Sequence, residues 1–416
     1  MVTQLYENIK DGIKKELEKD VRDLSFPRLV GSEGEPKARS LIKEKMKEAG
    51  FTPVSEPVLA SYYRMNFLAS FANILGGIFF IISSILFTMH PLLFIIPLIL
   101  IFIQISMMST GSPAGGQPPN VPKFAKVMET ENIYAESDSN DGDIQIVLMG
   151  HWDSKSTKLS GLERIIAYLI FLVSAVGLLM TGLVGIVLHF VLANPAVNTT
   201  IANIMWGFSI AGIVAAIILA FNVVGNESPG ACDNATSIAN VLACMRYFKK
   251  NPIPGVNLTY LLTTAEEIGL TGAYNFILNR KDDPEWDPDK TYVINWDLAG
   301  LPKMIRIVDR IGIPKKQCSA TMSAYVPEIS KQQGFPVKLS YLPVGGWTDS
   351  LPFNYFGYES FTIASIGGVR MVHQEGDTPE ILDFDKLFES WVLGIEIVKK
   401  IAAEKFSTKE ESTDRE

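Results

Sequence analysis

Two long apolar stretches without any formal charge interrupt an otherwise mixed polar and apolar chain of 416 residues. The first covers about residues 67–108 and the second about residues 165–224. His90-Pro91 divides the first stretch, and the segment LANPAVNTT divides the second. Each half is near the length that crosses a hydrocarbon core of about 30 Å. The pattern predicts two helical hairpins, at 65–109 and 165–224, that together form a four-helix transmembrane bundle.

Outside these stretches the pattern alternates between strand-like and helix-like segments. Apolar runs with strand spacing occur at 143–149, 256–263, 291–296, 304–308 and 359–366, and helical spacing occurs at 35–49, 234–249, 271–280 and 385–403. Strands that alternate with helices are typical of an α/β fold. We therefore predict one α/β domain assembled from residues 1–64, 110–164 and 225–405. Residues 406–416 are charged and poor in apolar side chains, so we expect them to be disordered.

Composition narrows the class of protein. Hydrophobic residues make up 47% of the chain and charged residues only 20%, which agrees with membrane segments. The net charge of -8 offers no basic surface for nucleic acid. Three cysteines (Cys232, Cys244 and Cys318) are too few and too scattered for a disulfide framework or a thiolate metal site. The charged amphipathic start of the chain is not a secretion signal.

Basic residues beside the spans predict an orientation. Two hairpins place all polar segments on one side, where the basic residues nearest the spans are Arg64, Lys123, Lys155, Lys158 and Arg164. The opposite side, around His90 and 192–200, has no lysine or arginine. The positive-inside rule therefore predicts a multi-pass protein of the cell membrane with its α/β domain in the cytoplasm.

Five candidate metal ligands follow strand-like runs or precede a helix: His151, Asp233, Glu267, Asp297 and His373. The chain has only four histidines, and two belong to this set. Side chains that follow strands of an α/β sheet meet in the crevice where ligands bind. Imidazole and carboxylate without thiolate suit zinc, manganese, iron or cobalt. Five ligands with one bridging carboxylate suit two ions about 3.5–4 Å apart.

Three of these motifs also have an ordinary structural explanation. His151 alone can be a hydrogen-bonded core histidine, Asp233 can cap the helix that follows it, and Glu266-Glu267 can form a solvated acidic turn. Adjacent side chains in an extended segment point in opposite directions. One of the two glutamates can thus bind a metal while the other faces a water molecule. Asp153 can orient His151 or support the site through another contact.

The order of these motifs resembles the M28 family of di-zinc peptidases, which includes bacterial aminopeptidases. The motifs are H-x-D, G-x-x-D-N-A-T, E-E-x-G, D-x-x-G and a final histidine before G-D-T. The stretch FPRLVGSEGEPKARSLIKEKMKEAGF is similar to the opening of that family. With the two hairpins set aside, the resemblance covers nearly all of the remaining chain. It implies a mixed, mostly parallel central sheet flanked by helices.

The resemblance also implies roles for the matched ligands. Asp233 would bridge two zinc ions, with Mn²⁺ or Co²⁺ as alternatives. His151 and Asp297 would complete the coordination of one ion. Glu267 and His373 would complete that of the other ion.

Further roles follow from the same resemblance. Glu266 would be the general base and Asp153 would support the site, and the bond from Asp233 to Asn234 would be cis. The family's Ser-Asp-His-x-x-Phe segment is Thr-Asp-Ser-Leu-Pro-Phe at 348–353 in this chain. Asp349 is thus retained as a candidate for binding a substrate amine.

The expected activity is hydrolysis of peptides or proteins, most simply as a membrane-embedded aminopeptidase. Two alternatives stay open at this point. One is a catalytically inactive membrane receptor or scaffold, and the other is a glutaminyl cyclase-like enzyme with one zinc. Glycines in the apolar spans can serve either a homodimer or internal helix packing (Gly76, Gly77, Gly177, Gly182 and Gly185).

Overall fold

The structure is a computed structural model that describes residues 4–97, 99–100, 123–137, 142–192, 194–343, 347–365, 367 and 370–413. These residues form an α/β domain and a group of long apolar helices. The strands, in chain order, are β1 Val54–Ala60, β2 Met128–Glu136, β3 Ile144–His151, β4 Ser156–Thr157, β5 Val224–Gly225, β6 Val256–Thr263, β7 Thr291–Trp296, β8 Ile305–Ile311, β9 Lys316–Gln317, β10 Val337–Leu342 and β11 Glu359–Ala364.

The sheet of the α/β domain has the strand order β1-β2-β6-β3-β7-β11-β8-β10, and β9 pairs with β8. The central strands β6, β3, β7 and β11 are parallel to their neighbours within this group. Antiparallel pairs join β1 to β2, β2 to β6 and β8 to β11. The predicted mixed sheet with a parallel centre is confirmed. Since the central strands are parallel, their carboxyl ends lie at one edge.

The helices, in chain order, are α1 Gln4–Glu7, α2 Lys10–Leu24, α3 Gly34–Glu48, α4 Ala69–Met89, α5 Gly161–Leu192, α6 Pro195–Ala220, α7 Thr236–Lys250, α8 Thr271–Leu278, α9 Thr321–Gln333, α10 Ser350–Tyr355 and α11 Phe384–Thr413. Helix α7 is buried over its first ten residues because it packs on β3 and β6 and contacts α2 and α11 on its other side. It begins at Thr236, three residues after Asp233, so the packing of α7 holds the turn that carries this residue.

The sequence pattern locates the central elements better than the outer ones. The bounds of β6 and β7 are those predicted, since both strands are rich in apolar and β-branched residues and are buried almost throughout. Strands β1, β2 and β10 and helices α9 and α10 were not predicted. Pro57 in β1 and Pro327 in α9 weaken the usual signals of a strand and a helix. Helix α11 extends to Thr413, past its predicted end at Ala403 and into the segment expected to be disordered.

Within the described part of the chain, three helices are long and apolar enough to cross a membrane: Tyr63–Met89, Gly161–Leu192 and Pro195–Ala220. The predicted break at His90-Pro91 is present, because the first helix ends at Met89 and a 3-10 turn begins at Pro91. The span predicted after this break continues to about residue 108, and only its first half, without residue 98, lies within the described residues. Three of the four predicted helices are therefore present among the described residues, and the four-helix bundle stays a prediction.

The linker predicted for the second hairpin was too long. Helix α5 ends at Leu192 and α6 already begins at Pro195. The side chain of Asn194 accepts a hydrogen bond from the backbone N–H of Ala196, and proline fits the first helical position since it lacks an N–H. The polar residues that follow, including the sequon at Asn198, therefore belong to the helix.

The five glycines considered for a dimer surface face other apolar segments of the same chain. A Cβ added at Gly77 would lie 2.8 Å from Ala216, one at Gly177 would lie 2.4 Å from Phe208, and one at Gly182 would lie 2.2 Å from Phe94. Gly76 and Gly185 likewise face Phe171 and Phe87. These contacts favour internal packing over the alternative of a dimer surface at these positions, and the homodimer stays a prediction.

Two glycines of α6 give a matched test of this packing. A Cβ at Gly212 would lie 2.3 Å from the buried ring of Phe80, whereas a Cβ at Gly207 would have nothing within 4 Å. We expect Gly212→Ala to destabilise the protein by about 1–3 kcal/mol through overpacking. Gly207→Ala should leave the thermal unfolding midpoint in detergent unchanged or slightly higher. Equal midpoints for the two variants would contradict this helix packing.

Candidate metal centre

The five predicted ligands are brought together at the carboxyl edge of the central sheet. His151 ends β3, Glu267 follows β6, and Asp297 follows β7. Asp233 lies in the turn before α7, and His373 lies in the loop after β11. The parallel register of three strands thus positions three side chains directly, and two loops bring the others over the same edge.

The ligand atoms form two overlapping groups. One contains His151, Asp233 and Asp297, and the other contains Asp233, Glu267 and His373, with the ligand atoms of each group within 4.8 Å of one another. Asp233 belongs to both groups. Its Oδ1 lies 3.1 Å from Nε2 of His151, and its Oδ2 lies 2.9 Å from Nε2 of His373. One carboxylate therefore faces both candidate positions.

The residues present fit a metal ion. Nε2 of His151 and Oε1 of Glu267 are buried and have no hydrogen-bond partner. Buried polar atoms without partners are rare in proteins, and coordination to a metal would satisfy both. Imidazole and carboxylate donors with small separations are the set that zinc uses in hydrolytic sites. No thiol competes for this position, because Cys232 forms no part of either group.

Burial and mutual repulsion shape the electrostatics of the centre. Burial raises the pKa of Glu266 well above its usual range, and the carboxylates of Glu267 and Asp297 add to the shift. Burial and the nearby Asp233 raise the pKa of Asp297 in the same way. Burial also disfavours a charged Asp233, but the adjacent imidazoles of His151 and His373 outweigh burial and hold the pKa of Asp233 well below its usual range.

Asp153 supports the centre through its backbone and its side chain. Its carbonyl oxygen accepts a hydrogen bond of 3.0 Å from Nδ1 of His151, which leaves Nε2 free to bind a metal. Its carboxylate lies 3.6 Å from the same Nδ1 and accepts the backbone N–H groups of Glu266 and Glu267 at 3.3 and 3.4 Å. The carboxylate therefore mainly positions the tandem glutamates.

Asp377 positions the backbone of Asp233, the ligand common to both groups. Its two carboxylate oxygens accept the backbone N–H groups of Cys232 and Asp233 at 2.7 and 3.1 Å. Burial and the charge of Asp233 raise the pKa of Asp377 to about 7. In the sequence, only the position of Asp377 close to His373 indicates that Asp377 belongs to the site.

Arg28 is fully buried beneath the centre and was not assigned a role from the sequence. Its guanidinium donates hydrogen bonds to five backbone carbonyls, those of Leu24, Phe26, Trp152, Pro229 and Gly230. It thus ties the end of α2 to the loops that carry His151 and Asp233. Burial lowers the pKa of Arg28 to about 10, so the side chain is still charged at neutral pH.

Lys155 is a second buried cation, and the sequence suggested only its contribution to membrane orientation. Its Nζ donates to Oε2 of Glu267 at 2.8 Å and to the backbone carbonyl of the same residue at 3.1 Å. Burial disfavours the charged ammonium, but the carboxylates of Glu267 and Glu266 outweigh burial and raise the pKa of Lys155.

Backbone strain is concentrated around the same residues. Within the described ranges, the non-glycine residues with positive φ are Ala265, Leu270, Leu298 and His373. One is a ligand and two adjoin site residues. Such conformations cost about 1–3 kcal/mol each and persist where the surrounding structure enforces them. The cis bond implied between Asp233 and Asn234 is present.

Asp349 lies behind the centre and not on its open side. It is 1% exposed, its Oδ2 accepts a hydrogen bond from the hydroxyl of Thr263, and its Oδ1 has no partner. Burial raises its pKa to about 7. Thr348, its neighbour, lines the adjacent cavity instead. The charge of Asp349 raises the pKa of Glu266. Its buried location therefore favours an effect on Glu266 over direct contact with a substrate amine.

A cavity of about 420 Å³ opens onto the centre. Its polar wall contains Asp233, Glu266, Glu267, Asp297, His373 and Lys155, and its apolar wall includes Leu270, Leu298, Val308, Leu342, Trp347 and Val372. Its remaining wall includes Met65, Gly161 and Arg164, which lie where the candidate membrane helices begin. The cavity therefore lies between the metal ligands and the apolar helices.

Comparisons with known proteins agree with this geometry. The family model described as peptidase family M28 matches residues 218–390, which include four of the five ligands but not His151. No curated protein sequence matches the chain.

Similar solved structures cover most of the chain. An aminopeptidase from Aneurinibacillus sp. strain AM-1 has a TM-score of 0.54 and 13% identity over 92% of each chain. A zinc aminopeptidase from Bacillus subtilis has a TM-score of 0.53 and 13% identity over 93% of this chain and 94% of its own. LapB from Legionella pneumophila has a TM-score of 0.52 and 12% identity over 96% of this chain and 75% of its own. The chain thus shares its fold with these two aminopeptidases.

Arg28 gives a test of how the loops are held. Arg28→Met removes the donors to five carbonyls and leaves buried acceptors without partners, each at a cost of about 1–3 kcal/mol. We expect a large loss of thermal stability in detergent and weaker retention of metal. Arg22→Met is the matched control, because Arg22 forms only ion pairs at the surface. If both variants unfold at the wild-type temperature, Arg28 does not hold this centre together.

Proposed function

We propose that this protein is a membrane-embedded, zinc-dependent peptidase, most simply an aminopeptidase. The observation that carries the proposal is the pair of ligand groups that share Asp233 beside a cavity lined by Glu266. In this proposal, His151 and Asp297 hold one zinc ion, Glu267 and His373 hold another, and Asp233 bridges them. Mn²⁺ or Co²⁺ can replace zinc in such a donor set.

Bound ions would supply a water molecule of lowered pKa and polarise the scissile carbonyl. The chain's own residues do the remaining work. Glu266 lines the cavity with a carboxylate whose burial favours taking up a proton. It accepts the proton of the attacking water and delivers it to the leaving amine. Asp153 keeps Glu266 in place through the backbone, and Asp349 increases its proton affinity through charge.

The complete ligand set supports an enzyme over the alternative of an inactive receptor, for which no ligand would need to be kept. A glutaminyl cyclase-like activity would use one zinc ion, so the number of ions bound separates it from the peptidase. The apolar part of the cavity wall suits an uncharged side chain at the end of the substrate.

Glu266→Gln tests the proposed general base. Turnover of aminoacyl fluorogenic substrates should fall by at least about 100-fold, because the amide cannot accept the proton. The zinc content should stay at the wild-type value, since Glu266 belongs to neither ligand group. Glu375→Gln is the control, an exposed acid two residues from His373. Turnover retained in Glu266→Gln would remove this role from Glu266.

The position of the cavity supports a substrate located at the bilayer surface. Met65, Gly161 and Arg164 line the cavity and lie at the starts of two candidate membrane helices. Because β1 and β2 are neighbours in the sheet, a chain that leaves through Tyr63–Met89 must return before Met128. This connection supports the four spans expected from the sequence.

The orientation with the α/β domain in the cytoplasm rests on basic residues beside the spans. Arg64, Lys123, Lys158 and Arg164 support it through the positive-inside rule. Lys155 is weaker support for this orientation, because its charge is paired with Glu267 inside the candidate metal centre.

A spacer series tests the location of the substrate. Peptides with one acyl chain at the C-terminus would carry proline spacers of increasing length, which extend by about 3.1 Å per residue. All should partition into proteoliposomes equally, so that only the reach of the free N-terminus changes. We expect full turnover with spacers of only a few residues. A requirement for long spacers would place the site far from the bilayer and contradict the proposal.

A further inference from the structure

We infer that Lys155 makes the two metal positions unequal, so that the position formed by Asp233, Glu267 and His373 binds its ion more weakly than the position formed by His151, Asp233 and Asp297. The inference rests on the proposed two-ion site and deepens it. It concerns how the ions are loaded, which the proposed reaction leaves open.

The first observation is the contact itself. Nζ of Lys155 lies 2.8 Å from Oε2 of Glu267, and both side chains are buried. Oε2 of Glu267 is also 3.2 Å from Nε2 of His373. The ammonium therefore shares the carboxylate oxygen that faces the other donors of this position. An ion here must compete with Lys155 for that oxygen, or use Oε1, which has no partner.

The second observation is that the segment carrying Lys155 is fixed on both sides. His151, four residues earlier, is itself a ligand. Ser156 and Thr157 pair with Val224 and Gly225 as a short ladder. The backbone N–H of Thr157 donates to the carbonyl of His373 at 3.0 Å. The backbone therefore cannot move Lys155 away from the centre without breaking these contacts.

The third observation is an imbalance of charge between the two positions. Each has one imidazole and two carboxylates, so their ligand charges are equal. Lys155 adds a positive charge to the position of Glu267, whereas no lysine or arginine among the described residues forms an ion pair with Asp297. Arg28 does not restore the balance, because its hydrogen bonds go to backbone carbonyls.

The size of the effect follows from the short range of the contact. An ion bound by Glu267 would lie within a few ångströms of the ammonium. At such separations in a protein, the repulsion between like charges exceeds the energy that corresponds to a ten-fold change in affinity. The position of His151 and Asp297 should therefore fill first, and the other ion should exchange more easily.

Calorimetric titration of the metal-free, full-length protein in detergent with Zn²⁺ tests this inference. The wild type should bind two ions in separate steps whose dissociation constants differ by at least about ten-fold. Lys155→Met keeps a long apolar side chain and removes the charge. It should tighten the weaker step by at least about ten-fold and leave the tighter step nearly unchanged.

Two further variants separate charge from structure. Lys155→Arg keeps the charge and should keep two unequal steps. Lys158→Met removes a lysine of the same segment that is 67% exposed, and it should bind zinc as the wild type does. Weakening of both steps in Lys155→Met would show a structural role and overturn the inference.

The wild-type titration can overturn the inference even if Lys155→Met does not fold. Two equal steps in the wild type would overturn the unequal loading and leave the proposed peptidase intact. A complete absence of zinc binding would overturn both. Two unequal steps that become equal only when the charge at residue 155 is removed support the inference.

Discussion

The concentration of buried acidic groups at one edge of the sheet is the constraint on which the rest of the structure depends. Like charges in a poorly solvated interior repel strongly, and the chain must compensate them with cations, protons or hydrogen bonds. Arg28 and Lys155 supply two cations, and the backbone N–H groups that contact Asp153 and Asp377 supply hydrogen bonds. Metal ions would supply what is still missing. The non-glycine residues with positive φ lie in the loops that carry these acidic groups.

The central sheet and the ligands could be predicted from sequence because each leaves a local signal. Strands β6 and β7 are rich in apolar and β-branched residues, and acidic ligands follow them closely, four residues after β6 and directly after β7. The outer strands leave weaker signals. Strand β2 contains three glutamates and is buried only at intervals, so its pattern resembles that of a polar connection.

The supporting contacts could not be predicted in the same way. Arg28 contacts carbonyls of residues more than a hundred positions away, and a carbonyl carries no information about sequence. The pairing of Lys155 with Glu267 depends on how two loops approach in space. The motif identifies Asp349, but it does not show that this side chain is buried against Thr263 and forms no part of the cavity wall. Local patterns thus identify the donors of a site, whereas the residues that support them depend on tertiary structure.

The short ladder of β4 and β5 explains how a metal centre tolerates a long apolar insertion between two of its ligands. The chain leaves the α/β domain just after Thr157 and returns at Val224, which is paired with it. The two ends of the insertion are therefore adjacent, whatever lies between them. For protein engineering, this pair is a natural joint at which a tight turn could replace the second hairpin. The domain would keep its ligands but lose the part of the cavity wall that Gly161 and Arg164 provide.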